Sequence, residues 1–238
     1  MRIALIGYGK MGKAIEEVAV QRGHEIIIKI DQPNLHEFTR ETLAKADTAI
    51  EFTSPHSAYD NVKKCLDFDV PVVCGSTGWT DKLNDLKKIC SERAGAFVYS
   101  SNFSVGVNIF FEINKRLAAL MSLHKEYEVI LEETHHTQKK DAPSGTAITL
   151  AEQILQEVKR KKQWVNELSD NPEDLEIISQ RIDPAPGTHS VKYSSVIDDI
   201  EIIHTAHSRT GFATGAVLAA EFIKDKKGFF CMKDVLGL

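Results

Sequence analysis

Arg2-Ile3-Ala4-Leu5-Ile6-Gly7-Tyr8-Gly9-Lys10-Met11-Gly12 decides the fold. The apolar run Ile3 to Ile6 meets a glycine-rich turn, and a helical pattern follows through Arg22. A second β-branched run, Glu25 to Ile30, ends at Asp31. Strand, G-x-G-x-x-G turn, helix and second strand, with an acidic residue about 20 positions on, form the arrangement of dinucleotide sites. Gly7 permits the tight turn, Gly9 lets the backbone approach a pyrophosphate, and Gly12 lets the helix pack on the strand. Lys10 and Met11 complete the turn as candidate cofactor contacts, the helix N-terminus faces the phosphates, and Asp31 accepts from the ribose. Gly7, Gly12 and Lys13 also fit G-x-x-x-x-G-K, but Ala14 lacks the hydroxyl that Mg²⁺ needs there. A turn that merely joins strand to helix is the plainer alternative. The second strand and its acidic end favour binding.

The alternation continues. Asp47 to Thr53, Val70 to Cys74 and Ala96 to Tyr99 read as strands, and Ser57 to Asp67 and Asp81 to Glu92 as helices. Such alternation predicts a parallel sheet with right-handed crossovers, which binds ligands at its strand carboxyl ends. Three polar turns fall there: Phe52-Thr53-Ser54-Pro55-His56, Gly75-Ser76-Thr77-Gly78-Trp79 and Ser100-Ser101-Asn102-Phe103. Ordinary turn chemistry explains their composition, and their position makes them cofactor candidates. Tyr59 and Lys63 match a Tyr-x-x-x-Lys pair but read as a solvated helix pair. The segment from Asn34 to Ala46 leaves room only for a trimmed crossover.

Beyond Phe103 a long helix, Val105 to Met121, leads to a strand at Tyr127 to Leu131. That strand delivers Glu132-Glu133-Thr134-His135-His136-Thr137-Gln138-Lys139-Lys140-Asp141-Ala142-Pro143-Ser144-Gly145-Thr146. Adjacent histidines on extended backbone point to opposite faces, so His135 and His136 do not share a metal, and no cysteine or carboxylate completes a zinc set. Proton handling suits them better, since histidine titrates at about 6.5. Lys139 supplies a point charge for a carboxylate, while Lys140 reads as solvent-facing. A helix over Ala147 to Arg160 follows without a capping box. The N–H groups of Gly145 and Thr146, with the Ser144 and Thr146 hydroxyls, offer themselves to an anionic carboxylate, a plain N-cap being the alternative. Lys159 to Lys162 reads as a solvated cap at that helix's end. Leu175 to Ile182, His189 to Val196 and Ile200 to His207 read as strands that join Tyr127 to Leu131 in one open sheet, before the apolar helix Ala213 to Lys224 and an apolar tail.

Composition bounds the function. With 238 residues, 42% of them hydrophobic, the chain buries a real core, and a net charge of -5 argues against nucleic acid as a partner. Cys65, Cys74, Cys90 and Cys231 show no metal or disulfide spacing and read as reduced thiols of a cytoplasmic protein. Nothing in the chain reads as an export signal or a membrane span.

Four segments carry a family resemblance: Gly7 to Gly12, Ser101 to Asn108, Glu133 to Ala147, and Phe212-Ala213-Thr214-Gly215-Ala216. They closely resemble 4-hydroxy-tetrahydrodipicolinate (dihydrodipicolinate) reductases. Gln138 stands where many relatives carry histidine, and Lys140 where an apolar residue is common. The resemblance implies hydride transfer from NADH or NADPH to a cyclic dicarboxylate in the diaminopimelate branch of lysine biosynthesis. It implies that His135 gives or takes a proton, that Lys139 donates one, and that His136, Gly145 and Thr146 touch substrate. Gly7, Gly12, Asp31, Gly75, Thr77 and Ser100 to Phe103 would touch cofactor. Asp31 suits a 2′-hydroxyl and Lys10 and Lys13 a 2′-phosphate, which points to dual cofactor use. The expected fold is α/β: a Rossmann-like parallel-sheet nucleotide domain over 1–103, and a smaller α+β domain with an open mixed sheet over 104–208. The latter would bind substrate and build a homotetramer, and 209–238 would return to the nucleotide domain. Two alternatives remain: another amino-acid or semialdehyde dehydrogenase of this architecture, and a non-catalytic NAD(P) sensor, which would need neither His135 nor Lys139.

Overall fold

The computed structural model describes all residues, Met1–Leu238. Strands β1 (Arg2–Ile6), β2 (Glu25–Ile30), β3 (Thr48–Glu51), β4 (Val72–Cys74) and β5 (Ala96–Tyr99) form one parallel sheet with a C-terminal strand, β11 (Gly228–Phe230). The order β11-β5-β4-β3-β1-β2 is doubly wound and Rossmann-like. Ile3 to Ile6 are at most 1% exposed, because helices cover both faces. Ile3, Leu5, Ile50, Val73 and Val98 pack with α1 (Lys10–Gln21) and α7 (Thr210–Ile223) through Ile15, Ala216 and Ala220. Ala4, Ile6, Ala49, Val72 and Phe97 turn the other way, onto Val62 and Leu66 of α3 (Ala58–Asp67) and Leu86 of α4 (Leu83–Glu92). A 3-10 turn and the one-turn helix α2 (Arg40–Leu43) make the short β2–β3 crossover. Tyr59 and Lys63 do not meet: the tyrosine hydroxyl donates to Asp85, and Lys63 pairs with Asp67 at 2.7 Å.

Contacts divide the chain into Met1–Asn108 with Arg209–Leu238, and Ile109–Ser208, a division that falls inside helix α5 (Val105–Met121). The tail contributes more than an apolar cover, since β11 pairs with β5 before the last helix, α8 (Met232–Leu236).

The second unit is built on β6 (Glu128–His135), which lies antiparallel to β9 (Thr188–Ser194) and parallel to β8 (Asp174–Arg181). With β7 (Gln163–Val165) and β10 (Asp199–Thr205) the order is β10-β9-β6-β8-β7, a mixed sheet. Its helix-covered face buries Leu131, Ile177, Val191 and Tyr193 against Phe110 and Met121 of α5 and Leu150 and Ile154 of α6 (Gly145–Glu157). Strand β6 continues past the predicted end at Leu131, because Glu133 and His135 extend the buried alternation of Val129 and Leu131. The basic run after α6 is solvated only at Lys159 and Lys162. Lys161 is 6% exposed, pairs with Glu128 at 2.9 Å and donates to Pro172 O, and Arg160 donates to Tyr127 O. No helix is long and apolar enough to cross a membrane.

Small residues let α7 sit close to the first unit's sheet. A Cβ on Gly215 would lie 1.7 Å from the Phe103 carbonyl oxygen, which is backbone and cannot yield as a side chain would. Gly215→Ala is therefore expected to destabilise the chain by about 1–3 kcal/mol, as overpacked core sites do, read as a lowered urea midpoint.

Candidate functional site

In the first unit the carboxyl ends of β1 to β5 gather the cofactor candidates. Gly7 turns with φ +93°, and a Cβ there would lie 2.0 Å from Phe52 O. A Cβ on Gly12 would meet Gly7 O at 2.3 Å, whereas Gly9 has nothing within 4 Å. Gly9 opens α1 with no side-chain cap and no acidic residue in the first turn. The leading N–H groups, on Lys10, Met11 and Gly12, are thus left for an outside acceptor, as a pyrophosphate site requires. Asp31 directly follows β2, with its carboxylate accepting from Gln32 N–H at 2.8 Å and its own N–H donating to Asn34 Oδ1 at 2.8 Å.

The three polar turns meet one another. The Phe52 ring fills the space beside Gly75 that a Cβ would need and lies 5.7 Å from the Phe103 ring. Thr53 N–H donates to Ser76 Oγ at 2.8 Å, and Ser100 Oγ donates to Asn102 O at 2.7 Å. Thr77 and Ser101 are exposed beside them. Beneath these turns lies Glu51, fully buried, a residue the sequence reading passed over. It accepts from Thr53 N–H at 3.1 Å, from the Thr53 hydroxyl and from Cys74 Sγ at 2.9 Å, and so ties β3, β4 and the Thr53 turn together. The open Gly9 backbone, the uncapped helix and these adjoining turns fit a dinucleotide.

In the second unit the centre is a buried carboxylate. Glu133 is 1% exposed and accepts from Ser144 N–H at 3.1 Å on both oxygens, from Ser179 Oγ at 2.8 Å and from Arg181 Nη2 at 3.2 Å. Its Oε2 lies 3.5 Å from His135 Nδ1 and 3.6 Å from His189 Nε2. Burial pushes its pKa up, but His189, the Ser144 and Ser179 donors and the nearby His135 reverse this and hold it well below the usual carboxylate range. For His135 burial dominates and pushes the pKa down to about 4; Glu133 opposes this, while His189, Lys139 and Arg181 add to it.

The loop after β6 is pinned at several points. Arg181 donates to the carbonyls of Lys139 (3.3 Å) and Asp141, and Thr137 donates to Asp183 through N–H (3.1 Å) and hydroxyl (2.6 Å). Lys139 Nζ lies 2.8 Å from both oxygens of Asp141. His136 is half-buried and Lys140 exposed. For Ser144 the structure shows the N-cap that was the alternative to anion binding. Its Oγ accepts from Ala147 N–H at 3.2 Å, lies 3.1 Å from His189 Nε2, and is buried. Gly145 and Thr146 precede the first internal bond of α6, so their N–H groups stay available at the positive end of the helix.

The fold also supplies what the sequence reading did not find for His135: a carboxylate and a second histidine. One atom each of Glu133, His135 and His189 lies within 4.8 Å of the others, close enough for a metal set. Arg181, 3.2 Å from the Glu133 carboxylate, places a positive charge where a cation would bind, which favours a hydrogen-bonded proton and anion site. Glu133 lies two residues before His135, on the same strand face, so period-two reasoning could have found it. His189 and Arg181 come from β9 and β8, and no local signal marks them.

Comparison with known proteins agrees with this arrangement. Residues 1–103 match the family model "Dihydrodipicolinate reductase, N-terminus", and residues 106–236 its C-terminal counterpart. A 4-hydroxy-tetrahydrodipicolinate reductase of Christiangramia forsetii is 49% identical over 100% of this chain and 98% of its own. One from Thermosipho africanus is 34% identical over 99% and 98%. The fold resembles that of a dihydrodipicolinate reductase from Paenisporosarcina sp. TG-14, solved with dipicolinate bound, at a TM-score of 0.81 with 22% identity and 97% of each chain covered. Matched from end to end by both family models and by close relatives, the chain belongs to the dihydrodipicolinate reductases, oxidoreductases that use NADH or NADPH.

Proposed function

We propose that this chain reduces the cyclic dicarboxylate 4-hydroxy-tetrahydrodipicolinate in lysine biosynthesis, with His135 and Lys139 as its proton-handling pair. The carrying observation is the buried His135, whose Nε2 lies beside Gly187, where a Cβ would stand only 3.1 Å away. Lys139 and the free N–H groups of Gly145 and Thr146 provide the positive field that a dianion requires. His136 and the Thr146 hydroxyl complete the substrate contacts. In the first unit Gly7 to Gly12, Asp31 and the turns at Phe52–Thr53, Gly75–Thr77 and Ser100–Phe103 hold the nucleotide.

The bound nicotinamide supplies a hydride. With the substrate's 4-hydroxyl leaving as water to give a conjugated imine, hydride addition leaves an electron-rich ring centre that must take a proton. His135 is neutral at pH 7 in the free protein. A dicarboxylate beside it adds negative charge and offsets Lys139, so the imidazole gains a proton on binding and can then deliver it. Lys139 exchanges Asp141 for the substrate and serves as the second proton donor of the pair. Two further expectations rest on the fold. Four free cysteines suit the reducing cytoplasm. The second unit leaves Ile197 (80% exposed) and Ile203 (59%) uncovered at β10 and its turn, which supports a homotetramer built through this sheet.

Loss of nicotinamide absorbance on adding the cyclic substrate, with NADH and NADPH in parallel, tests the reaction. His135→Gln and Lys139→Ala should each lower kcat/KM by roughly 10²-fold or more, the usual worth of a positioned proton donor. Wild-type turnover in both variants would reject the pair. No oxidation with either cofactor would favour another dehydrogenase, or a sensor that binds nucleotide without turnover.

Two measurements need no substrate. Glu133 and His135 both bind protons less readily folded than unfolded, so their contributions are fully present above about pH 6.5. Stability should decline as pH falls from 6.5 toward 4 through His135, and again below 4.5 through Glu133, with the upper part smaller in His135→Gln. Light scattering should give four times the 26.5 kDa chain mass, and Ile203→Lys should lower it.

A further inference from the structure

We infer that Glu133 is a positioning residue that fixes the tautomer of His135, keeping the ring proton on Nδ1 so that Nε2 is the atom that exchanges protons with substrate. The inference rests on the reading of His135 as the proton-handling residue. His135 Nδ1 is buried and has no nearer polar partner than Glu133 Oε2, at 3.5 Å. A neutral imidazole carries one N–H. With that proton on Nε2, the Nδ1 lone pair would face carboxylate lone pairs in a site closed to water. With it on Nδ1, the N–H faces an anion at 3.5 Å, longer than a hydrogen bond, and the electrostatic contact is attractive.

The carboxylate cannot turn away from this task. Sheet register sets Glu133 opposite Ser179 on β8 and His189 on β9, and His135 opposite Arg181. Ser179 and Arg181 both donate to Oε1, which leaves Oε2 on the side of the two histidines. The other groups facing His135 are His189, with ring centroids 5.0 Å apart, Lys139 and Arg181. None of them is an anion. Glu133 is thus the one group around the ring that favours both Nδ1–H and, once Nε2 is protonated, the imidazolium. The same carboxylate binds Ser144 N–H and so sets the start of α6, with Gly145 and Thr146, in register with the imidazole. One buried charge aligns the proton donor with the anion cradle.

The test is made on full-length chain labelled with ¹⁵N-histidine, in which two-bond ¹⁵N–¹H correlations report each ring's tautomer. At pH 7 without ligand, His135 should show protonated Nδ1 and bare Nε2. The opposite tautomer would overturn the inference, whether or not the chain proves to be a reductase. In Glu133→Gln the Oε1-side donors, Ser179 and Arg181, hold the amide oxygen, so the amide NH₂ faces His135. The expected result is a switch to the Nε2–H tautomer, with the His135 titration moved to lower pH. Pyridine-2,6-dicarboxylate should raise that titration in wild type and fail to do so in the variant. In turnover kcat should fall by roughly 10²-fold, and Glu133→Asp should restore Nδ1–H and part of the rate. A His135 tautomer and titration unchanged in Glu133→Gln would equally overturn it. Should that variant fail to fold, the wild-type tautomer still decides.

Discussion

A single carboxylate taken out of water governs the second unit. Burying Glu133 as an anion is tolerable only because a serine and an arginine from β8 and a backbone N–H from the start of α6 donate hydrogen bonds to it, with histidines from β6 and β9 standing 3.5 and 3.6 Å away. Each donor fixes a piece of chain. The strands are held in register, the loop carrying Lys139 is held by the carbonyls that Arg181 binds, and the helix start is held by Ser144. The geometry of the cluster is a by-product of satisfying one buried charge, which explains why the cluster is polar where the rest of the strand face is apolar.

The first unit solves the converse problem, preparing backbone donors for an anion from outside the chain. Its devices are omissions: no Cβ at Gly7, Gly9 and Gly12, no cap on α1, no acid in its first turn. Glu51 repeats the logic of Glu133 on a smaller scale, since a buried carboxylate gathers neutral donors and stiffens the turns above it.

Legibility followed the range of the interactions. The βαβ unit, the alternating strands and the Val105–Met121 helix could be read because period and turn residues are local signals. His135 and Lys139 stood out because their residue types are rare together on one short stretch. Glu133 was visible yet assigned no role, because a polar residue on a buried strand face contradicts the pattern that identifies strands, and β6 was therefore read as ending at Leu131. Arg181 and His189 were out of reach, since only the pairing of β6 with β8 and β9 brings them beside His135. The N-cap at Ser144 is a similar case. The absence of a capping box says nothing about whether a serine caps alone. Strands β7 and β11, at three residues each, are too short to show a period.

The placement of α7 and β11 has a consequence for how the chain is made. One face of the first sheet, with Leu5, Ile50 and Val98, is covered in part by alanines that lie beyond residue 209, and the sheet's edge beside β5 is filled by Gly228–Phe230. During synthesis the first 108 residues therefore wait for the hundred or so of the intervening unit, on the order of ten seconds at ordinary translation rates. The inserted unit, contiguous in sequence, can finish folding first. For that interval the nascent nucleotide unit carries an apolar face and an open strand edge, the features that recruit chaperones.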